Sequence, residues 1–267
     1  MEKIGLIAGN RRFPLFFAQA AKRHGQYIVA IAIRGETIAA LKNSVDKLYW
    51  LSLKDFQRMF EIFKREGIDK VVMAGQISPR RLFSKEVKES PKLNELLERL
   101  GDKRADTIFG GIAEELQKQG LTLIASTTFM EEFLPLKGTL TKKGPDFGTW
   151  EDIYFGFDLA KAVALLDIGQ TVAVKNKAIV AVEALEGTDN LIRRSSRVAC
   201  AGLTIVKVSK PKQDLRFDIP VVGLNTVKNL IRAKVNCLAI EAEKTLFLDK
   251  AASLALADKK GLCIVAV

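Results

Sequence analysis

The chain has 267 residues, of which 48% are hydrophobic and 27% charged, a globular composition with room for one large or two modest domains. Its formal net charge of +11 favours an anionic partner, such as a nucleotide, a nucleic acid or an anionic membrane surface. The start of the chain shows no signal-peptide pattern, and no apolar run approaches the roughly 20 residues that cross a bilayer, so we expect a soluble or peripheral protein.

Cysteine and histidine usage excludes several kinds of catalytic site. Cys200, Cys237 and Cys263 stand far apart among apolar neighbours without a Cys-x-x-Cys pair, which predicts buried thiols in a reducing compartment. His24 is the single histidine, and its place beside Gly25 at a predicted helix end indicates capping. A histidine-rich metal site is therefore excluded by ligand count. Because aromatic residues make up only 7% of the chain, we predict no nucleic-acid partner.

The first half of the chain alternates short apolar strands with amphipathic helices, the pattern of repeated βαβ units. Strands are predicted over 4–8, 27–33, 47–51, 70–74 and 121–125. Helices are predicted over 13–22, 54–66, 87–100 and 105–119. This order predicts a parallel sheet with helices on both faces and right-handed crossovers.

Two glycine turns follow strands of this predicted sheet. Gly9-Asn10 follows the first strand and Gly75-Gln76 follows the fourth, so both turns are expected at the edge where such sheets bind ligands. The spacing matches neither the dinucleotide fingerprint nor a P-loop. Each turn is either an anion site near a helix N-terminus or a plain strand-to-helix connection.

A turn-rich segment over 134–148 predicts a domain boundary, which we place between residues 137 and 138. Beyond it we expect a helix over 150–166, a hairpin over 171–184, and a helix over 190–197 capped by Thr188 or Asp189. The predicted fold is α/β, with an N-terminal doubly wound parallel-sheet (Rossmann-like) domain over 1–137. A second mixed α/β domain over 138–267 follows, and we expect the ligand cleft between the two.

The segment from Lys207 to Gly223 contains three lysines, one arginine and two aspartates and is broken by two prolines. Pro211 and Pro220 exclude a helix or a central strand, so the segment is predicted to be a loop. Its cations complement a diphosphate, while its aspartates are suited to bind a divalent cation or to orient a water. The alternative interpretation is a surface loop of solvated charges and Asx-turns.

Three stretches of the second half carry a family resemblance: Asp167-Ile-Gly-Gln170, Val182-Glu-Ala-Leu-Glu-Gly-Thr-Asp189 with Arg193-Arg194 after it, and Lys210-Pro-Lys-Gln-Asp-Leu-Arg-Phe-Asp-Ile-Pro220. In order and spacing they resemble the LpxI-type UDP-2,3-diacylglucosamine pyrophosphatases. The N-terminal Gly5-Leu-Ile-Ala-Gly-Asn10 fits the same family, so the resemblance covers nearly the whole chain.

The resemblance implies an enzyme of lipid A biosynthesis that needs Mg²⁺ (or Mn²⁺). Such an enzyme hydrolyses UDP-2,3-diacylglucosamine to UMP and 2,3-diacylglucosamine 1-phosphate (lipid X), with the substrate between its domains. Asp218 would be the residue on which turnover depends. A cytoplasmic location with peripheral association to the inner membrane is implied, and a homodimer is left open.

Combining the residue types with the resemblance, we predict Asp218, Asp214 and Arg216 as catalytic residues. The predicted metal ligands are Asp218, Glu183, Glu186 and Asp189. The predicted substrate-binding residues are Gly9, Asn10, Gly75, Gln76, Gln170, Thr188, Lys207 and Lys210. The alternative function is a non-catalytic nucleotide-sugar or lipid-binding module, which would hold the same ligand without cleaving it.

Overall fold

The computed structural model describes residues 1–78, 81, 84–102, 104–217 and 219–267. The chain forms two units, whose residue ranges differ from those of the predicted domains over 1–137 and 138–267. The first unit comprises Met1–Glu131 and Asp214–Asp218, and the second comprises Glu132–Gln213 and Ile219–Val267. The catalytic candidate Asp218 itself lies outside the described residues.

The first unit contains a parallel sheet with the strand order β3-β2-β1-β4-β5. The strands are β1 (Lys3–Ala8), β2 (Tyr27–Ile33), β3 (Lys47–Leu51), β4 (Lys70–Ala74) and β5 (Thr122–Leu123). The helices are α1 (Phe13–Arg23), α2 (Phe56–Glu66), α3 (Lys85–Lys88), α4 (Pro91–Arg99) and α5 (Ala105–Lys118). The strand order reverses between β1 and β4, which confirms the predicted doubly wound arrangement and marks its switch point.

Burial on both faces explains why the strands of this sheet are apolar throughout. Six of the seven residues of β2 are buried, because helices cover both sides of the sheet. Helix α2 packs closely on β1: a Cβ at Gly5 would lie 2.9 Å from the Phe63 ring and from Ile68. Gly67 then ends α2 in the left-handed conformation, as its position after the last amphipathic turn predicts.

The prediction of one continuous helix over 87–100 was wrong. Two helices, α3 and α4, occupy this region, and α4 begins at Pro91. Proline lacks a backbone donor and disfavours the helical region for the residue before it, and Ser90 is accordingly extended. The apolar periodicity was read correctly, but the proline separates it into two segments.

The second unit contains a mixed sheet with the strand order β6-β13-β11-β9-β7-β8. Its strands are β6 (Gly138–Thr139), β7 (Thr171–Lys175), β8 (Ala178–Val182), β9 (Thr204–Lys207), β11 (Cys237–Ile240) and β13 (Cys263–Ala266). A separate parallel pair is formed by β10 (Val221–Val222) and β12 (Leu246–Phe247). The helices are α6 (Phe147–Leu165), α7 (Thr188–Ala199), α8 (Leu224–Arg232) and α9 (Lys250–Lys260). The predicted hairpin of β7 and β8 and the mixed character of the unit are confirmed.

Three expectations for the second unit were wrong. Strand β9 was missed, so Lys207, assigned to a loop, is instead the last residue of a buried strand. Helix α7 is preceded by Gly187 as its N-cap, which places Thr188 and Asp189 inside its first turn. Cys200, which directly follows α7 and has a positive φ of 62°, is exposed rather than buried. His24 does cap α1, with Nδ1 3.0 Å from the Ala20 carbonyl oxygen.

No helix in the described part of the chain is long and apolar enough to cross a membrane.

Helix α6 covers one face of the second sheet, and its approach depends on a glycine. A Cβ at Gly156 would lie 2.7 Å from Val174 Cγ2 and 2.8 Å from Val206 Cγ2, on strands β7 and β9. Such distances are shorter than packed methyl groups tolerate, so a side chain here requires the helix to move away from the sheet.

Replacing Gly156 by alanine is therefore expected to lower the free energy of unfolding by about 1–2 kcal/mol, because overpacking outweighs the gain in helix propensity. The matched control is Gly148→Ala in the same helix, where the nearest atom to the new Cβ is Asp146 Oδ1 at 3.9 Å. Urea denaturation of both variants measures the difference. Equal stability of the two would contradict the packing account.

Candidate functional site

The two glycine turns meet at the carboxyl edge of the first sheet, beside its switch point. The amide of Asn10 donates to the carbonyl of Gln76 at 2.7 Å, and that of Gly9 donates to Ala74 at 2.8 Å. A Cβ at Gly9 would lie 2.5 Å from the Gln76 oxygen, and one at Gly75 would lie 2.5 Å from the Asn10 oxygen. Only glycine permits this backbone contact, and the expectation that both turns share one edge is confirmed.

A buried carboxylate, missed by the sequence reasoning, links these turns. The side chain of Glu36 is 3% exposed, and its Oε2 accepts hydrogen bonds from Asn10 Nδ2 at 2.9 Å and Ser78 Oγ at 3.1 Å. Arg81 lies 3.9 Å from Oε1. An acidic residue soon after the second strand was the available signal, since nucleotide-binding α/β folds carry a carboxylate there. Because a carboxylate only accepts, it orients the Asn10 amide with the nitrogen toward Glu36.

The second unit has a polar cluster at the carboxyl end of β9, centred on the buried ammonium of Lys207. Its Nζ donates to Thr188 Oγ1 at 2.9 Å and to Thr171 Oγ1 at 3.3 Å. Glu183 Oε2 lies 3.9 Å away, while Glu183 Oε1 accepts from the Thr188 hydroxyl at 2.8 Å. Residues Glu183, Thr188 and Lys207, predicted to share a site, are therefore brought together.

Lys210 forms a second buried cationic group close by in the chain. Its side chain is 8% exposed, and Nζ lies 2.5 Å from Asp167 Oδ1. Asp167 adopts a positive φ of 56° just after α6. Gln170 is also buried, and its carbonyl oxygen accepts from the amide of Val208 at 2.9 Å. Lys210 and Gln170 thus adjoin the same segment that follows β9.

Glu241 anchors Ser209, which lies in the chain between Lys207 and Lys210. Its Oε2 accepts from Lys161 Nζ at 2.6 Å and from both the amide and the hydroxyl of Ser209 at 2.8 Å. Its Oε1 accepts from Lys244 Nζ at 3.0 Å. Burial alone raises the pKa of Glu241, but the hydrogen bonds from Lys161, Ser209 and Lys244 outweigh burial and lower it below the usual range. Glu241 is thus ionised at neutral pH, and no local sequence signal pointed to it.

In the segment that begins at Asp214, the Asp214 carboxylate forms a bidentate ion pair with Arg216. Arg216 donates to Asp214 through Nε at 3.0 Å and Nη2 at 2.6 Å. These bonds from Arg216 lower the pKa of Asp214, although partial burial opposes them. The segment is anchored within the first unit, because the amide of Ser126 donates to the Leu215 carbonyl at 2.8 Å and Phe217 stacks on Phe109.

The three described residues of the predicted metal site have separate partners. Glu183 belongs to the Lys207 cluster, Glu186 accepts from Arg194 Nη2 at 2.7 Å, and Asp189 accepts from Asn229 Nδ2 at 2.9 Å. Among the residues that the structure describes, no group of three or more His, Cys, Asp or Glu side chains is placed to hold a metal ion. The predicted ligand set, which includes Asp218, stays a prediction.

Family models match both halves of the chain. The LpxI N-terminal domain matches residues 3–133, and the LpxI C-terminal domain matches residues 136–265. The chain belongs to the LpxI family. A curated relative, the UDP-2,3-diacylglucosamine pyrophosphatase LpxI of Caulobacter vibrioides, is 30% identical over 282 residues, which cover 100% of this chain and 98% of that protein.

Similarity of this LpxI-family chain to solved structures is slight. A multifunctional pyruvate carboxylase from Rhizobium etli matches 52% of this chain and 14% of its own at 15% identity, with a TM-score of 0.30. The N5-carboxyaminoimidazole ribonucleotide synthetase from Thermotoga maritima matches 70% and 43% at 18% identity, with a TM-score of 0.26. The chain thus spans less than half the length of these proteins, and the likeness supports no conclusion about function.

Replacing Glu241 by glutamine is expected to lower the free energy of unfolding at neutral pH by about 2–3 kcal/mol, since Lys161 loses its buried counter-charge. The folded-state pKa of Glu241 lies below the unfolded value of about 4.3, so its stabilisation is complete above that value and is lost as pH falls through the folded pKa. The difference from the wild type should therefore shrink below about pH 4.3.

Chemical denaturation at several pH values measures this difference. Glu243→Gln is the control, because Glu243 is an exposed carboxylate two positions along the same chain segment. A gap between the wild type and Glu241→Gln that did not change with pH would contradict the ionised state assigned to Glu241.

Proposed function

We propose that the chain hydrolyses the pyrophosphate bond of UDP-2,3-diacylglucosamine, releasing UMP and 2,3-diacylglucosamine 1-phosphate (lipid X), as a step of lipid A biosynthesis. The observation that carries the proposal is the likeness to the Caulobacter vibrioides UDP-2,3-diacylglucosamine pyrophosphatase over the full length of this chain. Both LpxI domains are matched, so the proposal does not rest on a shared domain alone.

The polar cluster of the second unit supports a diphosphate ligand on physical grounds. The Lys207 ammonium donates hydrogen bonds to two neutral hydroxyls, those of Thr171 and Thr188. Among the residues that the structure describes, its nearest carboxylate oxygen is Glu183 Oε2 at 3.9 Å, so these neighbours leave much of its charge for an anion. Lys207 is 6% exposed, and at a site of low dielectric a cation attracts phosphate oxygens more strongly than in water. We therefore assign Lys207 and Thr188 to phosphate binding, with Lys210 and Gln170 beside them.

Hydrolysis of a phosphoanhydride needs charge neutralisation and a positioned water more than it needs a covalent nucleophile. We assign Asp218 to orienting that water or to binding the metal. Arg216 is assigned to the developing charge on phosphate, because its guanidinium is already fixed by the bidentate contact with Asp214. Asp214 then acts as a positioning residue for Arg216.

A divalent cation, Mg²⁺ or Mn²⁺, is part of the proposal. Mg²⁺ commonly binds through one or two carboxylates together with substrate phosphates, so a site without a preformed cluster of protein ligands is compatible with it. Glu183 fits best among the described carboxylates, because its buried Oε2 accepts no hydrogen bond from the residues described. Asp218 and Glu183 would hold the ion, which would neutralise charge on the diphosphate.

The lipid part of the substrate bears on location. Each methylene of an acyl chain costs about 0.8 kcal/mol when it is exposed to water, so the enzyme must meet its substrate at a membrane or shield it. We propose peripheral association with the cytoplasmic face of the inner membrane.

Self-association into a homodimer is a further part of the proposal. It is supported by three apolar side chains that are exposed on α6, those of Phe147, Tyr154 and Leu165. Light scattering of the purified chain tests it.

Purified chain incubated with UDP-2,3-diacylglucosamine and Mg²⁺ is expected to release UMP and lipid X, measured by product analysis. After chelation with EDTA, turnover should fall at least about 100-fold and return with Mg²⁺ or Mn²⁺, because unneutralised diphosphate charge opposes attack by water. Full turnover in EDTA would refute the metal dependence. Binding without UMP release would favour the nucleotide-sugar-binding module.

Asp218→Ala is expected to lower UMP release by at least about 1,000-fold while binding of lipid X is retained, because the side chain acts on the water or the metal. The control is Asp158→Ala, which removes an exposed carboxylate of α6. An Asp218→Ala enzyme with normal turnover and normal metal dependence would refute the assignment of Asp218.

A further inference from the structure

One helix leads directly from the Lys207 cluster to a cationic surface. Helix α7 begins at Thr188, whose hydroxyl contacts Lys207 Nζ. Arg193, Arg194 and Arg197 follow at spacings that place them on one exposed side of the helix, while Leu191 lies in the core on the other side. Arg193 and Arg194 belong to one of the family motifs in the sequence, but the proposed reaction does not use them.

Helix α8 extends this surface. Arg232 and Arg193 line one groove of about 200 Å³ together with Asp189, Ser196 and Asn229. A wider concavity of about 530 Å³ is bordered by Arg193 and by the other two arginines of α7. We call the set Arg193, Arg194, Arg197 and Arg232 the arginine face.

Most of the charge of the arginine face is not neutralised. Arg194 pairs with Glu186 at 2.7 Å. In the described parts of the chain, no carboxylate lies within ion-pair distance of Arg193, Arg197 or Arg232. Arginine binds phosphate oxygens in a bidentate way and is less strongly hydrated than lysine, so a surface of this kind suits phosphate-bearing anions.

The apolar residues around the arginine face favour a lipid surface over a nucleic acid. Leu185 and Val198, near the two ends of α7, are 74% and 69% exposed, and apolar side chains beside arginines insert below lipid headgroups. Neither α7 nor α8 contains an aromatic residue that could stack on a base. Both the cations and the apolar side chains are thus explained by a membrane.

We propose that the arginine face docks the protein on the anionic phospholipid headgroups of the membrane that contains its lipid substrate. The inference rests on the proposed function for the identity of that substrate, but the binding itself does not require catalysis. Because α7 starts in the Lys207 cluster and carries three of the four arginines of the arginine face, the same helix would contact both the membrane surface and the proposed phosphate site.

The test compares binding of the full chain to vesicles of phosphatidylcholine alone and to vesicles that also contain phosphatidylglycerol. The variant is Arg193→Gln, Arg197→Gln and Arg232→Gln combined. At about 1 kcal/mol for each basic residue, its partitioning into the anionic vesicles is expected to fall on the order of 100-fold. Co-sedimentation at low salt measures the partition coefficient, and circular dichroism checks that the variant is folded.

The matched control removes the same charge elsewhere, by combining Lys42→Gln, Lys54→Gln and Lys259→Gln, three exposed lysines outside the arginine face. Its partitioning should change only about threefold or less, as long-range attraction alone would give. Equal losses in both variants, or wild-type binding that ignores phosphatidylglycerol, would overturn the proposal. So would vesicle binding that survives in the arginine variant while its binding to an RNA oligonucleotide is lost.

Assays of UMP release separate this inference from the proposed reaction. On substrate in neutral detergent micelles the arginine variant should match the wild type, and on substrate in anionic vesicles it should be slower. A wild type that binds anionic vesicles through the arginine face but releases no UMP would reject the reaction and keep the docking surface. An active wild type whose vesicle binding is unaffected by the arginine substitutions would reject the docking surface alone.

Discussion

A single buried ammonium group, that of Lys207, sets the arrangement of the candidate site. Removing a cation from water costs several kcal/mol unless polar groups surround it, so the chain must bring partners to it. Strand β7 supplies Thr171, which stands opposite Lys207 in the antiparallel pair, and the first turn of α7 supplies Thr188. Glu183 joins them from the end of the hairpin. Three elements are thereby held together at one edge of the sheet.

Both units place their candidate ligand groups at the carboxyl ends of parallel strands. In the first unit this edge carries the two glycine turns and the buried Glu36, and in the second it carries Lys207 and Glu241. The two edges differ in chemistry. Around Asn10 a carboxylate dominates, which suits neutral hydrogen-bonding groups of a ligand, whereas Lys207 and Lys210 supply the positive charge that phosphate requires.

In this LpxI-family chain, ion pairs hold the cationic side chains of Lys161 and Arg216 in place before any ligand binds. Glu241 holds Lys161 and Ser209, and Asp214 holds Arg216. Fixed cations lose little conformational freedom when they meet a phosphate, and they stabilise developing charge without rearrangement. A lipid substrate adds the requirement of reaching a membrane. The arginines of α7 would meet it, on the same helix whose first residue, Thr188, contacts Lys207.

The sequence by itself determined the strand and helix order of the first unit, the glycine turns and the family, because apolar periodicity and long motifs are local signals. It also pointed to Lys207, Thr188 and Glu183. It did not reveal β9, the break before Pro91, the exposure of Cys200, or the partners Glu36, Thr171 and Glu241. Those contacts join residues that are far apart in the chain, such as Ser209 and Glu241, so only packing of the strands decided them. A hydrogen bond between distant segments leaves no periodic trace in either one.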